Sequence, residues 1–207
     1  MLRARVAEVR RNMSFSRAKS SAGYLTGQLL VAMPGMTDPR FERAVIYMCV
    51  HSMDEGAMGL IVNKPLPDVR FGDILQNLKI PARAECCAKV QVHRGGPVQT
   101  QLGFILHSSD YQKEGTLVVD SEISLSTTTE ILRAIAEGSG PTQNLMALGY
   151  AGWDSRQLDD EIKRNAWLNV PADAELLFSR DYDSKWAKAL GKLGIAAHQL
   201  SSTAGHC

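Results

Sequence analysis

Apolar runs rich in β-branched residues alternate along the chain with stretches of helical periodicity. Residues 28–33, 44–51 and 58–63 read as strands, each short, apolar and bounded by turn-forming residues. The link Ser52-Met53-Asp54-Glu55-Gly56 predicts a hairpin between the second and third. A second group of strands, at 90–93, 102–107 and 116–119, is broken by Gly95-Gly96-Pro97 and by the polar stretch 110–115. Later strands are read at 145–148 and 175–178.

Four helices are predicted. The first, 71–78, stops before Pro81. The second, 127–137, opens on Thr127-Thr128-Thr129-Glu130, a capping-box pattern, and closes at Gly138, a residue suited to the left-handed conformation after a helix. The third, 155–167, gathers Leu158, Ile162 and Ala166 on one face and turns Asp159, Asp160 and Glu161 outward as a solvated charge run, with Asp154 as a candidate cap. The fourth, 183–193, starts at an aspartate cap and buries Trp186, Ala189, Leu190 and Leu193. Hairpin-linked strands with interspersed helices predict an α+β fold with a mixed, mostly antiparallel sheet rather than a doubly wound parallel one. Residues 65–89 are the best candidate for an inserted flap, and a single domain over 23–197 is the preferred organisation.

Composition adds three constraints. With 207 residues, 44% of them hydrophobic, the chain can build one core without disulfides or a structural metal. The first twenty residues hold Arg3, Arg5, Arg10, Arg11, Arg17 and Lys19 against Glu8 alone, so the net charge of +1 conceals a body at −4. An acidic body argues against direct nucleic-acid binding, which needs clustered cations. Residues 1–22 read either as a transit-like amphipathic segment or as a frayed basic extension, with Met13 as an alternative start; the extension is favoured, and residues 198–207 are expected to be a disordered tail. No apolar run reaches the length of a membrane span, and Cys49, Cys86, Cys87 and Cys207 include no CxxC pair, so a cytoplasmic protein with reduced thiols is expected.

Tests for chemistry return no constellation. The nucleophile elbow, the P-loop and the dinucleotide fingerprint are absent, and the five histidines show no metal-ligand spacing. No cofactor and no metal is implied. The places where a ligand could bind are loops at strand ends. Gly95 and Gly96 could form an anion cradle or simply a tight turn. Asn63 and Lys64 could present an amide and an ammonium to an anion, and His107 closes a strand. The richest stretch is 148–154, in which Gly149, Tyr150, Gly152 and Trp153 lie between a strand and a helix. Its aromatics could line a pocket, but burial in the core is the favoured reading.

The runs Gly27-Gln28-Leu29-Leu30-Val31-Ala32-Met33-Pro34, Gly56-Ala57-Met58-Gly59-Leu60-Ile61-Val62-Asn63-Lys64-Pro65 and Gly95-Gly96-Pro97-Val98, followed by Leu148-Gly149-Tyr150-Ala151-Gly152-Trp153 and Asn165-Ala166-Trp167-Leu168, occur in the order of a known family. Over about residues 23 to 196 the chain closely resembles the bacterial YqgE/AlgH family of uncharacterised proteins. The resemblance implies a small barrel-like sheet surrounded by helices, a cytoplasmic location and a proposed link to transcriptional control. It brings no catalytic or DNA-reading residues to carry over. The chain departs from the family pattern in its basic N-terminal extension and in its tail beyond Ala197.

Two functions follow as expectations. The first is a regulatory or interaction protein that acts through a protein or small-molecule partner, with any effect on transcription indirect and oligomeric state open. The second is an enzyme or nucleotide- or anion-binding domain that uses the glycine-rich loops, which requires 95–96 and 149–153 to lie together. The first is preferred.

Overall fold

The computed structural model describes residues 25–52 and 56–195. The basic extension at 1–22, its alternative start and the tail at 198–207 lie outside the described residues.

The fold is α+β. Its strands are β1 (Gln28–Ala32), β2 (Val45–Ser52), β3 (Gly56–Ile61), β4 (Pro65–Arg70), β5 (Gln91–Arg94), β6 (Val98–Ser108), β7 (Thr116–Val118), β8 (Ile123–Ser126), β9 (Asn144–Trp153) and β10 (Trp167–Pro171). They form one curled sheet in the order β10-β1-β2-β3-β9-β6-β8-β7, with β5 paired in parallel to β9 and β4 paired to β5. Every other pairing is antiparallel. The curl makes a half-barrel. The expected barrel is therefore met only in part, because β10 and β7 stand at opposite ends of the path without pairing.

Six helices complete the described residues: α1 (Phe71–Asn77), α2 (Ala84–Cys87), α3 (Thr129–Glu137), α4 (Gln157–Lys163), α5 (Ala174–Phe178) and α6 (Tyr182–Gly191). They cover both faces of the sheet, which explains why several strands are apolar throughout instead of alternating. Along β1, for example, Leu29 and Val31 enter a core shared with Leu177, Trp186 and Leu190, while Leu30 and Ala32 enter another with Leu158, Trp153 and Trp167. A third core, under α1 and α3, joins Phe71, Leu75, Ile131 and Ile135 to Ile105 and Met146.

Several elements differ from the sequence reading, each for a local reason. The third helix ends at Lys163, because Asn165 turns left-handed (φ 57°) and Trp167 begins a strand against β1. Residues 174–178 form a helix rather than a strand: Asp173 accepts from Leu176 N at 2.6 Å and caps it, and so short an apolar run carries no decisive period. Thr128, the N-cap of α3, makes no side-chain capping bond, so the capping box is not formed, although Gly138 does adopt the left-handed cap (φ 82°). Asp181, not Asp183, caps α6, and Asp154 caps nothing, since α4 opens on Arg156. The stretch 65–89 contributes β4, α1 and α2 to the sheet and the third core, and β8 has no counterpart in the sequence pattern.

The junction of the sheet lies where β9 changes partners. Its first half runs between β5 and β6, and its last residues pair with β3. The change falls at Gly149 (φ 71°), where the chain leaving β5 crosses over β9 as Gly95-Gly96. Gly95 N donates to Leu148 O at 2.8 Å and Gly95 O accepts from Ile61 N at 2.8 Å, so this one residue ties β9 to β3. A Cβ on Gly95 would lie 2.2 Å from Gly149 O, and one on Gly96 2.0 Å from Tyr150 C. Both clashes are with backbone, which cannot swing aside. Gly96→Ala should therefore destabilise by at least ~3 kcal/mol, lowering the melting temperature by roughly 6–12 °C. Gly191→Ala, where an added Cβ meets nothing within 4 Å, should stay within about 1 kcal/mol of the parent or stabilise slightly. Thermal melts of the two variants check this.

Candidate functional site

The two glycine-rich loops do meet, but on each other. The amide of Gly95 is spent on Leu148 O, and the other close contacts are backbone against backbone, so the pair acts as a clasp rather than an anion cradle. Beside the clasp opens a cleft of about 480 Å³. Ile61, Leu66, Pro97 and Leu148 give it an apolar floor, and Arg40 and Arg94 stand over it.

The cations of this cleft are held by different means. Asp38, in its Asp-Pro turn, accepts from Arg40 N at 2.9 Å and grips the guanidinium in a fork, with Nη2 to Oδ2 at 2.6 Å. That hydrogen bond holds the Asp38 carboxyl below its usual range and raises Arg40 further. Lys64 follows β3 and donates Nζ to Arg40 O at 3.0 Å, while its backbone carbonyl accepts from Arg94 N at 2.9 Å. Partial burial lowers the Lys64 ammonium, and the Arg94 charge pushes it the same way against Glu42 and Asp38. Among the described residues no carboxylate forms an ion pair with Arg94. Two cations thus line the cleft, Arg40 neutralised within the chain and Arg94 not, and Lys64 lies beside them.

Asn63 is structural. Its Oδ1 accepts from Val45 N at 2.8 Å and its Nδ2 donates to Arg43 O at 2.9 Å. Below it, Lys185 is wholly buried and donates Nζ to Val62 O at 3.0 Å and to Leu177 O at 2.8 Å. Its ammonium lies 5.3 Å from the centre of the Tyr182 ring. Tyr182 meets the buried His93 edge-on at 4.9 Å. Burial drives Lys185 down to about 8, with Asp181 offsetting a little. Burial also lowers His93 to about 4, aided by the Lys185 charge, so the imidazole is neutral; Nδ1 donates to Met146 O at 3.3 Å. This interior cluster fixes the segment that carries Lys64, and nothing in the sequence pattern of α6 marks it, because a lone lysine at a helix position normally faces water.

His107 and Ser126 have the spacing of a nucleophile and its base, Nε2 to Oγ 3.0 Å, but both are buried. Nδ1 donates to Ser108 O at 2.8 Å, and Ser126 Oγ is 3.1 Å from Thr116 Oγ1, which makes a closed chain linking β6, β7 and β8. Its third member is a backbone carbonyl, not a carboxylate, and burial lowers the imidazole from its ordinary value. His107 therefore has a structural place and stands apart from the cleft.

The motif at 149–153 is likewise architectural. Trp153 and Trp167 meet edge-on at 5.9 Å, and Glu161 Oε2 accepts both indole N–H groups, at 2.9 and 2.8 Å. Glu161 Oε1 accepts from Gln157 at 2.8 Å. The acidic run on α4 is thus not wholly solvated: one member clamps two tryptophans, and Asp159 lies 3.6 Å from the buried His51. Tyr150 packs edge-on against Phe104 at 5.8 Å, and Gly152 is exposed on β9. Of the sequence candidates, the structure brings Lys64, Gly95, Gly96 and Gly149 to one place beside the cleft, with Arg40 and Arg94 added. Those two arginines carry no signal in the sequence, because their convergence depends on the crossing at Gly95–Gly96. Among the described residues there is no group of three His, Cys, Asp or Glu side chains able to hold a metal, and no helix long and apolar enough to cross a membrane.

Three variants test the interior. Glu161→Ala strands two buried indole donors and should destabilise by ~2–4 kcal/mol with a shift in tryptophan emission; Glu161→Gln keeps an acceptor and should lose less than half of that. For Lys185, the lowered value means that the folded state releases its proton near pH 8, whereas the unfolded chain keeps it to about pH 10.5. Between those values the unfolded state binds more protons, so this group's contribution to stability rises with pH, by up to ~1.4 kcal/mol per unit. Chemical denaturation across pH 8–10 should show the stability of the parent relative to Lys185→Met rising with pH, which isolates this group from the opposing contribution of the raised thiols.

Comparison with known proteins places these features in a family. The AlgH-like family model matches residues 29–198. A UPF0301 protein of Rhodospirillum rubrum is 54% identical over 184 residues, spanning 89% of this chain and 95% of its own, and one from Bradyrhizobium diazoefficiens is 52% identical over 90% of each. The solution structure of the AlgH protein from Pseudomonas aeruginosa superposes with a TM-score of 0.74 at 39% identity, covering 92% of this chain and all of that one. A crystal structure from Corynebacterium diphtheriae shares the fold at 18% identity, with a TM-score of 0.65 over 87% of this chain and 91% of its own. The chain belongs to the AlgH-like family.

Proposed function

We propose that this chain is a regulatory binding protein of the bacterial cytoplasm, folded as one domain over about 23–197. Its ligand is a small anion with an apolar body, taken in the cleft between Arg40 and Arg94. The observation that carries this reading is Arg94, unpaired over a floor of Ile61, Leu66, Pro97 and Leu148, with the Lys64 ammonium close enough for the two like charges to repel. An anion relieves that repulsion, and its apolar part covers the floor, a division of labour usual for small-ligand sites. The volume, about 480 Å³, suits a metabolite better than a folded partner.

Binding is favoured over turnover because Ser126, Cys49 and Lys185 are buried within the cores and none of them lines this cleft. Gly96 and Pro97 shape the wall of the site and Gly95 and Gly149 fix them through the crossing, while the two arginines meet the ligand with Lys64 beside them; Tyr150, Gly152 and Trp153 belong to the surrounding architecture. Any effect on transcription then passes through the ligand-bound protein and its partner, not through contact with DNA.

Thermal-shift titration with medium-chain and aromatic carboxylates, their phosphate counterparts and their uncharged esters tests the reading. An anionic member at about a hundred times its Kd should stabilise the protein by ~2.7 kcal/mol, or roughly 5–10 °C. The ester should do nothing, and Arg94→Glu should abolish the shift while leaving the unliganded melting temperature in place. Equal stabilisation of Arg94→Glu, or no response to any anion in the series, overturns it.

A further inference from the structure

A second cleft, of about 550 Å³, lies away from the first, between α2, the turn after α3 and the loop joining α5 to α6. Among its lining residues are Cys86, Lys89, Gln143, Asn144, Phe178 and Arg180. It thus combines a thiol, two cations and two side-chain amides. Arg180 is positioned by its own fold, because Nη2 donates to Lys89 O at 2.5 Å. Lys89 and Arg180 are exposed, and among the described residues neither is paired with a carboxylate.

The two adjacent cysteines, both half-buried, face different neighbours. Cys86 Sγ lies over the glycine that closes α3: a Cβ built on Gly138 would sit 3.5 Å from it. That glycine leaves the thiol open to the cleft. Cys87 points the other way, packing against the third core, where a Cβ on Gly72 would come 3.8 Å from its own Cβ. Burial, then the neighbouring Cys86, raises the Cys87 thiol, and burial alone raises Cys49, which lies sealed within β2. The backbone carbonyls at the end of α3 do not confront the site bare, since those of Ala134, Ile135 and Ala136 accept from Ser139, Gly138 and Arg83.

We propose that Cys86 is a thiol-modification site, which forms a mixed disulfide with a small disulfide bearing carboxylates, drawn into the cleft by Lys89 and Arg180. The Cys86 thiolate attacks one sulfur of the incoming disulfide; a new S–S bond forms, the old one breaks, and the departing thiolate takes up the proton that Cys86 released. The cations select the anionic reagent, and the amides of Gln143 and Asn144 supply hydrogen bonds for its peptide groups.

Oxidised glutathione, neutral 2-hydroxyethyl disulfide and cationic cystamine serve as probes on the full chain, with intact-mass kinetics and peptide mapping as readout. The first adduct should form on Cys86, fastest with oxidised glutathione and slowest with cystamine. Lys89→Glu combined with Arg180→Gln should slow oxidised glutathione about tenfold and accelerate cystamine, a reversal that damaged folding cannot produce. Arg94→Glu should change none of these rates, which separates this site from the first cleft. First modification at Cys87 or Cys207, or a double variant that affects all three probes alike, overturns the proposal.

Discussion

The fold turns on the contact of two backbones. Where Gly95 and Gly96 pass over Gly149 and Tyr150, no side chain intervenes, and an added methyl at either of the first two would penetrate the other strand. Because β9 pairs with β5 before this point and with β3 after it, the crossing is what lets one long strand serve two parts of the sheet. It also sets the curl, bringing the three apolar clusters together around β9, which contributes Leu145 and Ala147 to one, Met146 to another and Ala151 and Trp153 to the third. The cleft is a by-product of the same crossing: Gly96 and Pro97 leave the junction on the side that Arg94 enters, so a wall and a cation are delivered by four consecutive residues.

Around this junction the interior is more polar than a half-barrel of apolar strands requires. Glu161 between two indoles, Tyr47 donating its hydroxyl to Asp120 at 2.7 Å, His107 with Ser126, and Lys185 with two carbonyls each join separate elements. Such contacts are costly if incomplete and add directional demands that apolar packing lacks. Lys185 is the extreme case, because an ammonium without a carboxylate keeps its charge near neutral pH only against burial. When it loses a proton, the neutral amine still has two N–H groups, enough for Val62 O and Leu177 O. The anchor beneath the Lys64 segment is therefore insensitive to the charge state of the group that makes it.

How far the sequence foretells this depends on how local each cause is. The pairing of β2 with β3 and the helix closing at Gly138 rest on neighbouring residues, and both are legible. The strand at 167–171 is not, because Ala166 and Trp167 continue the helical period of α4; only the left-handed turn at Asn165 and the pull of Glu161 on the indole end it. The glycine motifs announce a close approach without saying to what. That they approach each other, with both backbone groups of Gly95 bonded to Leu148 and Ile61, is a property of topology. Similarly, Lys64 stands out by its place after a strand, whereas Arg40 and Arg94, distant in sequence, become partners only through the pairing of β3, β9 and β5.

The two arginines of the cleft do not contribute alike. Arg40 arrives with its counterion: Asp38, two residues away, grips it through a fork that water also reaches, and an exposed pair of this kind is worth little. A ligand that displaces Asp38 therefore gives up little, but it also gains little, since one carboxylate replaces another. Arg94 has no ion-pair partner among the described residues, and its charge disfavours the protonated form of Lys64 against the pull of Glu42 and Asp38. An anion placed there removes an existing repulsion and adds an attraction on ground made less polar by Leu66 and Leu148. On the proposed reading, affinity in this cleft resides chiefly on the Arg94 side, with Arg40 bounding the other end of the ligand.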